Sequence, residues 1–130
     1  MTLVAHYFVL AFVFIVIDSL WIAVVANSFY KQQMGSLLAA KPRLGLGALF
    51  YAIYIAALMF LVIEPALNDN RDWTWLLSHA AVLGFTMYAT YDLTNAATLK
   101  KWPLKLTVVD MIWGTVLTTS ICAIGFAIFG

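Results

Sequence analysis

Four long apolar stretches separated by short polar ones dominate the chain: Leu3 to Ala26, Leu44 to Leu67, Trp73 to about Asn95, and Leu104 to Phe129. Each reaches the roughly 20 residues that a helix needs to cross a bilayer. Runs this long and without alternation predict helices rather than barrel strands, because hydrocarbon leaves no partner for an unpaired backbone group. The pattern therefore predicts an all-α fold. It is an integral membrane bundle of four transmembrane helices, one domain spanning residues 1–130, with a short amphipathic interfacial helix after the first span.

That interfacial helix is read from the first loop, NSFYKQQMGSLLAAKPR, where Phe29, Tyr30, Met34, Leu37 and Leu38 fall at helical spacing against Lys31, Gln32, Gln33 and Ser36. Pro42 is expected to end it, since the residue before a proline is disfavoured in a helix. Pro65 and the Asn/Asp cluster of EPALNDNRD read as a turn. Pro103 suits the first turn of the last helix. Trp73, Trp75 and Trp102 fit aromatic belts at the two interfaces. Gly45, Gly47, Gly114 and Gly125 read as close-packing positions.

Composition strengthens the membrane reading: 65% of residues are hydrophobic and 10% charged, with a mean hydropathy of +0.96. The net charge of +1 gives no basic face for nucleic acid. No Lys or Arg precedes the first span, and its apolar run is too long for a signal peptide's core, so it is expected to be retained. Cys122, the single cysteine, excludes an intrachain disulfide and reads as packing. Lys31, Lys41 and Arg43 occupy the first loop and Lys100, Lys101 and Lys105 the third, whereas the middle loop has Arg71 beside Asp69 and Asp72. The excess of cations in the first and third loops places both inside and both chain termini outside.

Against this background the string VIDSLW, Val16 to Trp21, returns almost unchanged as VVDMIW, Val108 to Trp113. Asp18 and Asp110 lie at different depths of their helices, so the echo reads as two similar local solutions and not as an inherited inverted repeat. Because those helices run in opposite directions, Asp18, about 15 Å from the inner end, and Asp110, about 10 Å in, share the cytoplasmic half. Asp92 joins them from the end of the third helix. Helical spacing puts Tyr7, Ala11, Phe14, Asp18, Trp21 and Val25 on one stripe; Gly47, Tyr51, Tyr54 and Leu58 on another; Gly84, Tyr88, Tyr91, Asp92 and Asn95 on a third; and Thr107, Asp110, Gly114 and Leu117 on the fourth.

A carboxylate in mid-bilayer costs about 2.5 to 3.5 kcal/mol on insertion scales, so such a group turns inward, takes a proton or finds donors. Asp18, Trp21, Tyr51, Tyr54, Tyr88, Asp92, Asn95, Asp110 and Trp113 are thus expected to line a polar, aromatic pocket facing the cytoplasm. Trp and Tyr supply the donors, and at least one aspartate holds a proton. The plainer alternative makes each aspartate a static staple between helices. Asn95 and Thr94 then merely end a helix. His6 reads as a headgroup contact, and His79 as an interfacial residue in preference to a partner of Glu64.

At YATYDLTNAATLKKWP followed by VVDMIWG, with DSLW in the first helix and FYAIY in the second, the chain resembles the DUF2177 family, small four-helix inner-membrane proteins of bacteria. The resemblance covers nearly the whole length and implies four transmembrane helices in a bacterial cytoplasmic membrane. It transfers no activity and no catalytic residue.

Three functions fit the residues. The first is a carrier or channel component that binds a proton, a small cation or an amphipathic cation, because protonation and ligand binding compete for the same carboxylate. The chain is similar to small multidrug carriers in size and helix number but lacks their glutamate in the first helix. The second is a membrane enzyme acting on lipids, with an aspartate base and Tyr88 or Tyr91 as donor; no HExxH, Ser/His/Asp set or histidine box supports it. The third is a structural subunit of a larger complex. No lysine lies inside a span beyond Lys105 at the edge of the fourth, which leaves none to carry retinal, and His6 and His79 offer no axial pair for haem. No cofactor or metal is expected. The expected partners are the lipid bilayer, a cationic or amphipathic ligand and a second copy of the chain.

Overall fold

The computed structural model describes residues 2–39, 41 and 43–130, without the side chains of 26 and 27. The expectation for Pro42 lies outside the described residues. Helix α1 (Leu3–Trp21) passes through a π-helical segment, Ile22–Ala26, into α2 (Asn27–Met34) and then a 3₁₀ turn, Gly35–Leu37. Helix α3 (Leu44–Leu58) continues through a second π segment, Met59–Ile63, into α4 (Glu64–Asn68). Helices α5 (Trp73–Thr98) and α6 (Leu104–Phe129) complete the chain, and no strand occurs among the described residues.

Local chemistry explains these limits. Thr2 Oγ1 accepts the amide of Ala5 at 3.1 Å and caps α1; Asp72 Oδ1 accepts the amide of Trp75 at 2.9 Å and caps α5. Pro65 does not sit in a turn as expected but inside α4. A proline within a helix lacks its amide and crowds the carbonyl one turn earlier. Directly before it, the Glu64 amide reaches five residues back to Met59 O, and this wider turn absorbs the conflict. The turn itself is confined to the residues around Asn70, whose φ of 52° is a left-handed conformation that asparagine tolerates. α5 runs three residues past Asn95 before ending at Thr98. The first-loop helix is shorter than expected, and Leu37 and Leu38 lie beyond it, exposed.

Among the described residues three helical stretches are long and apolar enough to cross a membrane: Leu3–Val25, Leu44–Asn68 and Leu104–Phe129. α5 has the length, 26 residues, but Ser78, His79, Thr86, Thr90, Asp92 and Asn95 dilute its apolar character. Four equivalent apolar spans are therefore not what the structure presents.

The α5–α6 pair forms the most extensive interface. It is antiparallel and built in successive layers four residues apart on each helix: Gly84 against Thr118, then Tyr88 against Gly114, then Asp92 against Asp110. A Cβ on Gly84 would lie 2.6 Å from Thr118 Cβ, and one on Gly114 would enter the Tyr88 ring, so the helices approach because neither residue has a side chain. Gly125 likewise makes room for Leu10 and Ile63. Gly45 and Gly47 do not fit the packing expectation, since nothing lies within 4 Å of a Cβ at either.

α1 packs on α6 and α3. The core runs through Leu10, Phe14, Leu58, Ile63, Leu117 and Ile121, with the Cys122 thiol sealed among them. Both termini lie at one end, where His6 stacks on Phe129 at 3.8 Å and donates or accepts a 2.6 Å hydrogen bond with Glu64. His6 is thus a buried, paired residue and not a headgroup contact. His79 is exposed and bonds the Trp75 carbonyl at 2.7 Å. At the opposite, basic-loop end α3 loosens: residues 44–53 are all exposed, whereas Tyr54, Ile55 and Leu58 are buried. The helix leans on the bundle by one half and leaves a cleft beside α5 and α6 with the other.

Candidate functional site

That cleft, about 440 Å³, is lined by Gly47, Phe50 and Tyr51 of α3, Met87, Tyr88 and Tyr91 of α5, and Asp110 of α6. The absence of a side chain at Gly47 leaves part of this space open. Tyr88 is held in place by its seat on Gly114. A larger recess of about 810 Å³ occurs at the terminus end, but its walls include Leu3, Val4, Met59 and Phe60, and its Glu64 already pairs with His6. Size does not decide between them. The smaller cleft is the one where an acid without a basic partner meets several aromatic rings.

The aspartates are brought together as a pair and a neighbour. Asp92 is completely buried in the layer of the α5–α6 interface that faces Asp110. Asp18 stands apart on α1, where its Oδ2 accepts the Tyr51 hydroxyl at 3.3 Å, and so it touches the cleft through that tyrosine. Among the described residues no three His, Cys, Asp or Glu side chains gather as a metal-ligand set.

The donors are tyrosines, not the expected indoles. Trp21 and Trp113 stack face to face, centroids 4.2 Å apart and planes 5° from parallel, and the Trp21 indole N–H, although it faces the Tyr30 hydroxyl, makes no well-formed hydrogen bond among the described residues. Asp110 Oδ1 instead accepts the Tyr30 hydroxyl at 2.5 Å. This contact follows from the direction in which helical side chains lean, toward the N-terminus of their own helix. Tyr30 on α2 points back into the bundle, Asp110 near the start of α6 points out of it, and the two meet. Lys105 over the Phe29 ring at 5.8 Å fastens the same two elements. Partial burial and the Asp110 carboxylate hold the Tyr30 hydroxyl protonated well above the ordinary tyrosine range.

Two expected members lie elsewhere. Tyr54 is buried, its hydroxyl sharing a 2.6 Å hydrogen bond with Thr118 Oγ1 and its ring beside Phe14. Asn95 sits one turn beyond the cleft beside Tyr91, and its carbonyl accepts the Leu99 amide that closes α5. Trp102 is buried too, its indole bonded to Thr107 Oγ1 at 3.0 Å, so it is not an interfacial belt residue. Tyr30 was legible only as part of an amphipathic face. The signal that could have found it is the one phenol within a helical continuation of Trp21, in a loop otherwise furnished with serines, amides and cations.

Ionisable groups turned inward beneath an apolar exterior define a membrane-embedded helical bundle. The chain belongs to the family described as predicted membrane protein (DUF2177), whose model matches residues 3–127. No curated protein and no solved structure matches it.

Proposed function

We propose that the chain crosses a bacterial cytoplasmic membrane four times, both termini outside, and that its cleft binds a small or amphipathic cation as part of a carrier. The fourth crossing is supported by α5 lying antiparallel to α6. At about 1.5 Å per residue a helix of this length spans roughly 39 Å, more than a hydrocarbon core of about 30 Å. Three of its outward polar side chains bond back to their own helix: Ser78 and His79 bond Trp75 O, and Thr90 bonds Thr86 O. Residues 35–39, 41 and 43, with 99–103, lie at the cleft's end, and the excess of cations there argues for the cytoplasm.

The observation that carries the cation reading is Asp110 facing Tyr51, Tyr88, Tyr91 and Phe50 across an open space, with no Lys or Arg ion-paired to Asp18, Asp92 or Asp110 among the described residues. Aromatic faces and an uncompensated carboxylate attract a cation shed of its water, by about 2 kcal/mol or more per desolvated ring contact. The reading includes pairing of two copies, because one copy encloses so little volume; light scattering in mild detergent reads it directly.

The test is binding of tetraphenylphosphonium to the purified protein, followed by quenching of its tryptophan fluorescence, and uptake into proteoliposomes. Wild type binds and Asp110→Asn loses at least about tenfold in affinity. Equal binding by both, or none by wild type, overturns the cation site. An altered lipid profile in a deletion strain favours the enzyme instead.

A further inference from the structure

Asp92 is the least comfortable group in the molecule. It is 0% exposed, neither carboxyl oxygen has a hydrogen-bond partner, and the helix register that seats Gly84 on Thr118 and Tyr88 on Gly114 brings the next layer, the carboxyl of Asp110, opposite it. The residues that face this corner are Tyr30 from α2 and Asp110 from α6, with Tyr91 beside it on α5. The Tyr30 hydroxyl donates its hydrogen bond to Asp110 and makes none to Asp92. An ionised carboxylate so enclosed, against a second one and without a donor, carries a desolvation cost of several kcal/mol with nothing to offset it.

We infer that Asp92 and Asp110 share one proton, Asp92 O–H donating to the Asp110 carboxylate, so that the pair presents a single negative charge to the cleft and selects monovalent organic cations. The proton turns an acceptor facing an acceptor into a donor facing an acceptor, which is the one change that satisfies Asp92 without moving a helix. Asp110 is the ionised member. It already takes the Tyr30 hydroxyl at 2.5 Å, within the range of an O–H···O⁻ bond, and it alone of the two lines the open space. A second accepted bond, from Asp92, aims its charge at the cleft. With a net charge of one on the pair, and Asp18 set back behind the Tyr51 hydroxyl, the cleft balances a monovalent ligand, whereas a divalent ion leaves an excess positive charge in low dielectric.

The selectivity rests on the cation reading above; the shared proton does not, and the experiment separates them. Infrared spectra of the unliganded protein in lipid nanodiscs are expected to show a protonated carboxylic-acid carbonyl band that shifts in heavy water, persists in Asp18→Asn and vanishes in Asp92→Asn. In Asp110→Asn the band persists but moves, having lost its charged acceptor. Near-UV circular dichroism of the tryptophans checks that each variant is folded. A wild type without the band, or a band unchanged in folded Asp92→Asn, overturns the shared proton. Binding is read with tetraphenylphosphonium on the wild type. Magnesium at equal concentration does not compete; displacement by magnesium overturns the selectivity. A band behaving as described with no cation binding by wild type upholds the proton and rejects the carrier site.

Discussion

Trp21 of α1 lies flat against Trp113 of α6, their centroids 4.2 Å apart. These are the tryptophans of the two DxxW strings, so the repeated motif finds itself across an antiparallel helix pair. Each aspartate, one turn away, takes a tyrosine from a third element: Tyr51 for Asp18 and Tyr30 for Asp110.

Removing either ring should loosen this end of the bundle. Trp21→Ala and Trp113→Ala are each expected to cost about 3 to 5 kcal/mol. The double variant should fall short of the sum by about 0.5 to 1.5 kcal/mol, the worth of the stack itself. Thermal unfolding in detergent gives the cycle, and the coupled indole signal in near-UV circular dichroism should disappear with either ring.

The glycines divide into two kinds, and substitution should tell them apart. Gly114→Ala drives a methyl into the Tyr88 ring and Gly84→Ala into Thr118; each is expected to destabilise by about 1 to 3 kcal/mol or more. Gly45→Ala meets open space and should be neutral or gain about 0.5 to 1 kcal/mol from reduced backbone freedom. Melting temperatures ranked in any other order would contradict the layered α5–α6 interface.

At the terminus end, Glu64→Ala strands the buried His6 ring and is expected to cost about 1 to 3 kcal/mol. Glu64→Gln, which retains a hydrogen-bonding oxygen, should recover most of this. His79→Ala should leave stability within about 0.5 kcal/mol, as an exposed site does. Comparable losses at both histidines would show that the pairing is misassigned.

Tyr30 offers a pH test with a definite sign. Its hydroxyl is held above the ordinary value of 10.0, so folding favours the protonated form. The stabilisation is fully present below about pH 10 and is lost as pH rises through the higher, folded value. Absorbance titration should find one fewer late-ionising tyrosine in Tyr30→Phe than in wild type. At neutral pH the same variant removes a bond to a charged group and is expected to cost about 1.5 to 3 kcal/mol.

The inward stripes were readable because one helix has one period: Asp18, Gly84, Gly114 and Leu117 all turn inward as their spacing requires. What periodicity does not contain is the neighbour. Tyr54 and Tyr51 share a stripe, yet α3 leans, so the first is buried against Thr118 and the second stands at an open cleft. Tyr30 was obscured by a different cause. The π segment Ile22–Ala26 inserts a residue into the helix, which rotates everything after it by about 100° relative to the α1 stripe. The same inserted turn at Met59–Ile63 hid the helical setting of Pro65. His6 was misread because its partner, Glu64, lies 58 residues away, a distance over which no local pattern speaks.

The lone thiol, Cys122, closed in by the packing of all the long helices, gives this protein an internal clock for its own breathing. A maleimide can reach it only when the bundle parts, so the alkylation rate of the unmodified chain reports how often the interior opens in a given lipid. Ligand occupancy that holds the helices together would be visible as a slower reaction, without any label having been introduced.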